Sequence, residues 1–282
     1  MWFLLSFLTA IFRSLNDIAG KYFVKDRDVY SIGLSMRLWS SLILIPLMLF
    51  TDMVNPDKDF YSLLLISGIL NSLVTVLYFN SLKKSDISLS MPILTLTPVF
   101  MIFTSPFITG EMPSIKGVFG IILIVIGAYS INIDKSKGGL MTPILSLING
   151  KGTRSMLFVA LIWSVSAPID KLGVESSSPL FWGTSVNVFM VFSIYLFILF
   201  TKKDIDNKAL KLFWPGIFAA LTIITQMTAL KLAIVPYVIA IKRTSILFSV
   251  IAGIFLFKEK GGVHRLISTF LMVVGVMIIL LS

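Results

Sequence analysis

The stretch Ala233–Glu259, AIVPYVIAIKRTSILFSVIAGIFLFKE, decides how the rest of the chain is read. It is about as long as the ~20 apolar residues that carry a helix across a bilayer at ~1.5 Å of rise per residue. Yet Lys242 and Arg243 stand side by side within its first half. Insertion scales charge ~2.5–3.5 kcal/mol for each such cation at mid-helix, so cations at that depth normally face a protein interior or a watery cavity and serve function. The competing reading is snorkelling, in which Lys242 leans towards the helix N-terminus and reaches the headgroups past Pro236 and Tyr237. Arg243 sits deeper and about 100° further around the helix, where that escape is harder.

The whole chain shares this apolar character. With 56% hydrophobic and 13% charged residues and a mean hydropathy of +0.95 over 282 residues, it is too apolar for one soluble domain and reads as an all-α polytopic membrane protein. Cysteine is absent, which excludes disulfides, thiolate metal sites and thiol catalysis. The single histidine, His264, lies beside Arg265 without the partners a metal would need. There is no GxxxxGK loop and no nucleophile placed beside a histidine, so neither an enzyme nor an ATP-driven pump is expected, and no cofactor. The net charge of +10 is scattered through short loops rather than gathered in an aromatic-interleaved patch, which points to membrane orientation and away from nucleic acid.

The hydrophobic runs predict ten spans, near 2–23, 30–51, 60–82, 87–109, 115–133, 153–173, 179–201, 210–231, 235–257 and 262–281. The first lacks the basic start and small-residue cleavage site of a signal peptide. Residues 134–152, with Lys135, Lys137, Gly138, Gly139, Pro143, Gly150 and Lys151, read as a flexible linker between a first unit, 1–133, and a second, 153–282. Sliding Tyr78–Ala128 onto Gln226–Val276 without a gap places Leu82-Lys83 on Leu230-Lys231, Phe100 on Phe248, Glu111 on Glu259 and Gly127 on Gly275. Ala10, Ser14 and Lys21 align in the same way with Ala160, Ser164 and Lys171. An odd number of spans per unit turns the second copy upside down, so the expected architecture is two inverted five-helix repeats with a site near mid-membrane where they meet. Similarity of apolar helices by composition alone is the bland alternative.

Ten spans in two halves, with Gly110-Glu111 and Lys258-Glu259 closing the fourth and ninth and glycines in the last span of each half (Gly120, Gly127; Gly275), resemble the drug/metabolite transporter superfamily, specifically its EamA branch. The resemblance covers nearly the whole chain and implies a transporter of small metabolites, without naming which. A narrower likeness concerns Ile241-Lys242-Arg243-Thr244-Ser245-Ile246, similar to the Lys-Arg pair with which triose-phosphate and phosphate translocators bind the substrate phosphate. At the equivalent positions the first half offers Leu94 and Thr95, so the cationic site would be asymmetric.

Other polar residues within the spans are candidates for the same pocket. Arg13, Asn16, Asp17 and Lys21 lie on the first span; Arg13 and Asp17, four apart, pair along one face or else supply a protonatable coupling residue, the role that the resemblance implies for Asp17. Arg37 has no acidic residue within four positions, and its counterpart 150 residues on is Asn187. Tyr78, Asn80 and Gln226 offer hydrogen bonds, to substrate or merely between helices at ~0.6 kcal/mol each. Trp163 and Asp170 complete the set, with Asp170 expected near the membrane edge. Pro92, Pro98, Pro106 and Pro168 are positions where spans can bend.

Three functions compete on charge. The first is a secondary transporter of a small anionic metabolite, bearing phosphate or carboxylate, held at Lys242 and Arg243 with Arg37, because adjacent buried cations need a counter-anion and arginine supplies a bidentate fork. The second is a proton-coupled exporter of amino acids, amines or drugs using Asp17; the third is a flippase for a phosphate-headed lipid or a non-transporting subunit. The expected partners are the metabolite and the lipid bilayer, with the chain a monomer or homodimer in the cell's inner membrane. Of 24 Lys and Arg, four lie inside spans and four (Lys58, Lys116, Lys171, Lys231) near even-numbered loops. The remaining 16 sit near odd-numbered loops, which favours both termini outside.

Overall fold

The computed structural model describes residues 1–25, 27–50, 55–85, 90–130, 150–248 and 264–282, and all its regular elements are helical. In chain order they are α1 (Trp2–Val24), α2 (Val29–Leu49), α3 (Phe60–Lys84), a 3-10 helix (Met91–Thr95), α4 (Leu96–Ile108), α5 (Ile115–Ser130), α6 (Lys151–Glu175), α7 (Pro179–Phe200), α8 (Asn207–Leu210), α9 (Trp214–Leu232), α10 (Val235–Lys242) and α11 (His264–Leu280). Most of the expected linker, and Lys258, Glu259 and the end of the ninth run, lie outside the described residues.

Among the described residues six helices, α1, α2, α3, α6, α7 and α9, are long and apolar enough to cross a membrane, and Ile93–Ile108, α5 and Phe270–Leu280 are shorter apolar segments. Their ends are set locally. Asp28 caps α2 by accepting from the Ser31 N–H, Ser178 caps α7 by accepting from Phe181 ahead of Pro179, and Asp206 caps α8. After α4 the chain reverses at Gly110, whose φ of 72° suits a residue without a Cβ.

The burial pattern reverses that of a soluble protein. Phe103, Phe107, Phe119, Phe158 and Phe192 face outward, whereas Asn16, Asp17, Asp170, Asn187, Lys242 and Arg243 are buried. This arrangement suits a chain solvated by lipid, where apolar side chains cost nothing outside and polar ones seek one another inside. Serines and threonines along the helices return their hydroxyls to carbonyls three or four residues back, as Ser6, Thr9, Ser14, Ser72 and Ser164 do, which satisfies them without water.

Helix α6 is the most enclosed of the long helices, with α3 and α4 packed against it. Helix α1 lies against α9 and α10, α2 lies between α7 and α9, and α5 pairs with α11. The α5–α11 contact is closest at Gly120 and Gly275: a Cβ on either would lie 2.7 or 2.6 Å from the other's carbonyl oxygen. Two departures from the expected runs matter for the site. The eighth run is predicted to start at 210, but α9 starts at Trp214. The carbonyls of Leu210, Leu212 and Pro215 are taken by Ser35, Trp39 and Asn16 side chains from α2 and α1. The fourth run is a 3-10 helix before it becomes α4, and α10 stops at Lys242 with a turn at Arg243 and Thr244.

Candidate functional site

Helices α1, α2, α3, α4, α6, α7, α9 and α10 surround a central cavity whose wall, among the described residues, includes Arg13, Arg37, Lys242 and Arg243 but one carboxylate, Asp170. The backbone explains how two of these cations come to face it. At the end of α10 the Arg243 N–H is shared between the carbonyls of Ile239 and Ala240, and the N–H groups of Thr244, Ile246 and Leu247 bond three residues back rather than four. This tightening carries both cations inward: Lys242 is 6% and Arg243 2% exposed. Lys242 donates from Nζ to Gln226 Oε1 on α9, a buried contact in place of the snorkelling alternative. Arg243 donates from Nη2 to Thr97 Oγ1 on α4 at 2.9 Å, while among the described residues its buried Nε has no hydrogen-bond partner.

The indole of Trp163 on α6 lies at the centre of the cluster. The guanidinium carbons of Arg13 and Arg243 are 5.0 and 5.1 Å from its ring centre and Lys242 Nζ is 5.5 Å away, within the range where a ring face attracts a cation. On another wall Arg37 donates to Asn187 Oδ1 at 3.2 Å and to Thr75 Oγ1 at 3.0 Å, and among the described residues its Nε also has no partner. Asn187 in turn donates to the Arg37 carbonyl and to Ser40 and Ser41, so its orientation is fixed. An arginine held by neutral acceptors keeps its full charge and its remaining donors available.

The two buried aspartates are held differently. Asp17 is engaged from two sides: Arg13 Nε stands 2.8 Å from Oδ1 as an ion pair, and Tyr78 donates its hydroxyl to the same oxygen. Asp170 Oδ1 accepts from Ser67 and from Trp182 Nε1, both neutral, and among the described residues no cation lies within ion-pair distance of it.

Of the residues singled out by sequence, Arg13, Arg37, Asn187, Gln226, Lys242 and Arg243 therefore share one cavity. Tyr78 and Asp17 lie behind it, joined to it through Arg13. Asn80 does not line the cavity; it is half-buried on α3, two residues from Tyr78, and a helix turns about 200° over that step. Asp170, expected near the membrane edge, is 4% exposed and part of the wall. Sequence reasoning missed Thr97, whose signal was its place between Pro92 and Pro98. It also missed the closure at Lys171, which pairs with Glu111 and donates to the Ala233 carbonyl at 3.1 Å, while Glu111 accepts the Val235 N–H at 2.9 Å.

Apolar helices in this number, enclosing a charged interior, define a multi-pass membrane protein built around a polar cavity. The chain matches the EamA-like transporter family over residues 1–133 and 151–281, and it belongs to that family; it is a membrane transporter. It is 28% identical to an uncharacterized transporter of Archaeoglobus fulgidus over 99% of its own length and 97% of the relative's. It also resembles a solved protein structure with a TM-score of 0.73 at 15% identity, covering 99% of this chain and 96% of the other, a likeness of fold alone.

Proposed function

We propose that the chain is a secondary transporter that moves a small anionic metabolite, bearing phosphate or carboxylate, by alternating access around Lys242, Arg243 and Arg37. The observation that carries this reading is charge without compensation. Arg13 is matched by Asp17, which among the described residues leaves Arg37, Lys242 and Arg243 facing one carboxylate, with the Nε atoms of Arg37 and Arg243 buried and without a hydrogen-bond partner. Uncompensated buried cations are costly, and a bound anion with several acceptor oxygens relieves that cost. Gln226, Asn187 and Trp163 then orient the ligand. Asp17, committed to Arg13 and Tyr78, is poorly placed to serve a cationic substrate.

The mechanism follows from pairing that exchanges between halves. The packing of α3 on α6 recurs as α9 on α1, α4 on α6 as α10 on α1, and α3 on α7 as α9 on α2, while α2–α7, α5–α11 and α4–α10 map onto themselves. Such exchange is what two copies of a five-helix unit, 1–133 and 153–282 joined through 134–152, would produce if related by a half-turn in the membrane plane. Rocking one unit on the other opens the cavity to each side in turn. The loop charges support both termini outside in this arrangement.

A melting-temperature screen of the detergent-purified protein against phosphate esters, carboxylates, amines and nucleosides tests the reading. Anions are expected to stabilise the wild type by mass action and to do nothing for Arg243→Ala. Stabilisation by amines alone, or equal anion stabilisation of Arg243→Ala, would overturn it.

A further inference from the structure

The anion reading leaves one wall residue without a task. Asp170 is a carboxylate on the most enclosed helix, 4% exposed, lining a cavity rich in cations yet paired with none of them. Among the described residues, neutral donors pack directly around it. Helix α3 brings Ser67 and Asn71, the latter donating to Ser67 Oγ at 3.0 Å, and α7 brings Trp182. All three are neutral donors. The charged groups that act on Asp170 are Lys242 from the end of α10 and Arg37 from α2, both at a distance. Helix α9 offers Gln226 and α4 the apolar Met101, and on α1 Arg13 is already paired with Asp17.

A carboxylate in this position is balanced through the cavity, not by a contact. Burial favours the protonated carboxyl, and cations on the cavity wall favour the ionised one, so the two states are set against each other. When an anion arrives it takes up the field of those cations and adds a like charge nearby, and both effects favour a proton on Asp170. Release of the anion reverses them. Asp17 also feels Lys242 and Arg243, but its nearest counter-charge, Arg13, sits directly against it whether or not the cavity is filled, so a bound anion changes its balance less.

We infer that Asp170 is a proton-binding site that loads and unloads together with the anion, so that the transporter carries a proton with its substrate. The inference rests on the anion reading above. The proton enters from the aqueous phase to which the cavity is open, bonds to the Asp170 carboxyl, and leaves from the same oxygen after the anion departs on the other side. One negative charge on the cargo is thereby cancelled in each cycle. By linkage, anion affinity in the wild type rises as pH falls, by up to about tenfold per pH unit.

The test uses sulfate, which does not titrate near neutral pH, added as a pH-matched salt to the full-length protein in weakly buffered detergent solution with a pH-indicating dye. Melting temperature is followed in parallel. The wild type is expected to take up a proton, at most about one per bound sulfate, and to be stabilised by sulfate more strongly at acidic than at alkaline pH. Asp170→Asn keeps an oxygen for Ser67 and Trp182 to donate to and is expected to fold. It should bind sulfate without proton uptake and with a pH-independent stabilisation, while Asp170→Glu should restore both signals. Sulfate stabilisation with undiminished proton uptake in Asp170→Asn would overturn the coupling and leave the anion reading standing. No sulfate stabilisation of the wild type at any pH would overturn both.

Discussion

The 3-10 helix Met91–Thr95 and the turn at Arg243–Thr244 fall at matching registers of the two halves, Leu94 and Thr95 opposite Lys242 and Arg243, but they are made differently. Pro92 and Pro98 bracket the first break, and a proline N–H missing from the ladder is a sufficient cause for it. No proline lies within the second between Pro236 and Phe248; there the backbone tightens without one, and both cations at the turn find partners inside the protein, Lys242 in Gln226 and Arg243 in Thr97. The two breaks also touch, since Thr97 opens α4 and receives the Arg243 guanidinium. A bent helix is thus common to both halves, and charge belongs to one of them. Shape and chemistry are separable here, and substitutions can address each in turn.

Removing charge from the second break has the largest expected effect. Lys242→Met should weaken anion binding by about 2–5 kcal/mol, roughly 30-fold or more, read as loss of anion-induced stabilisation. Cutting the link between the breaks comes next: Thr97→Val leaves an Arg243 N–H without its acceptor and should lower stability by about 1–3 kcal/mol, measured by unfolding in mixed micelles. Trp163→Leu removes the ring that three cations share and should cost about 0.5–2 kcal/mol for each stacking lost, with anion affinity falling alongside. Leu94→Met, the counterpart of Lys242→Met, should cost less than about 1.5 kcal/mol and leave anion binding unchanged. Were Leu94→Met to impair binding as much as Lys242→Met, the separation of shape from charge would fail.

Much of the architecture was legible because bilayer physics writes itself as long apolar runs: α1, α2, α3, α6, α7 and α9 coincide with runs read from hydropathy alone. What was not legible depended on contacts from distant helices. The late start of α9 falls at Pro215 in its first turn, and ahead of it Ser35 and Trp39 take the carbonyls of Leu210 and Leu212, contacts that the hydropathy run does not show. The same holds within the cavity. The depth of Lys242 and Arg243 could be counted from the run that holds them, and Arg37 and Asn187 could be matched by offset. That the last two bond to each other, that Trp163 sits beneath three cations, and that Asn80 lies off the wall required the packing. That Asp170 lines the cavity also required the packing. Helix α6 continues to Glu175, and α3 and α7 close over the position.

Exchange of labelled anions across proteoliposomes, with inorganic phosphate and succinate as the two probes, bears most directly on the anion site. Wild-type protein should exchange at least one of them, Leu94→Met should do so at a similar rate, and Arg243→Ala should fall by roughly 30-fold or more. Exchange by Arg243→Ala at the wild-type rate, or wild-type protein that moves amines and neither anion, would contradict a cationic pocket at the broken tenth helix.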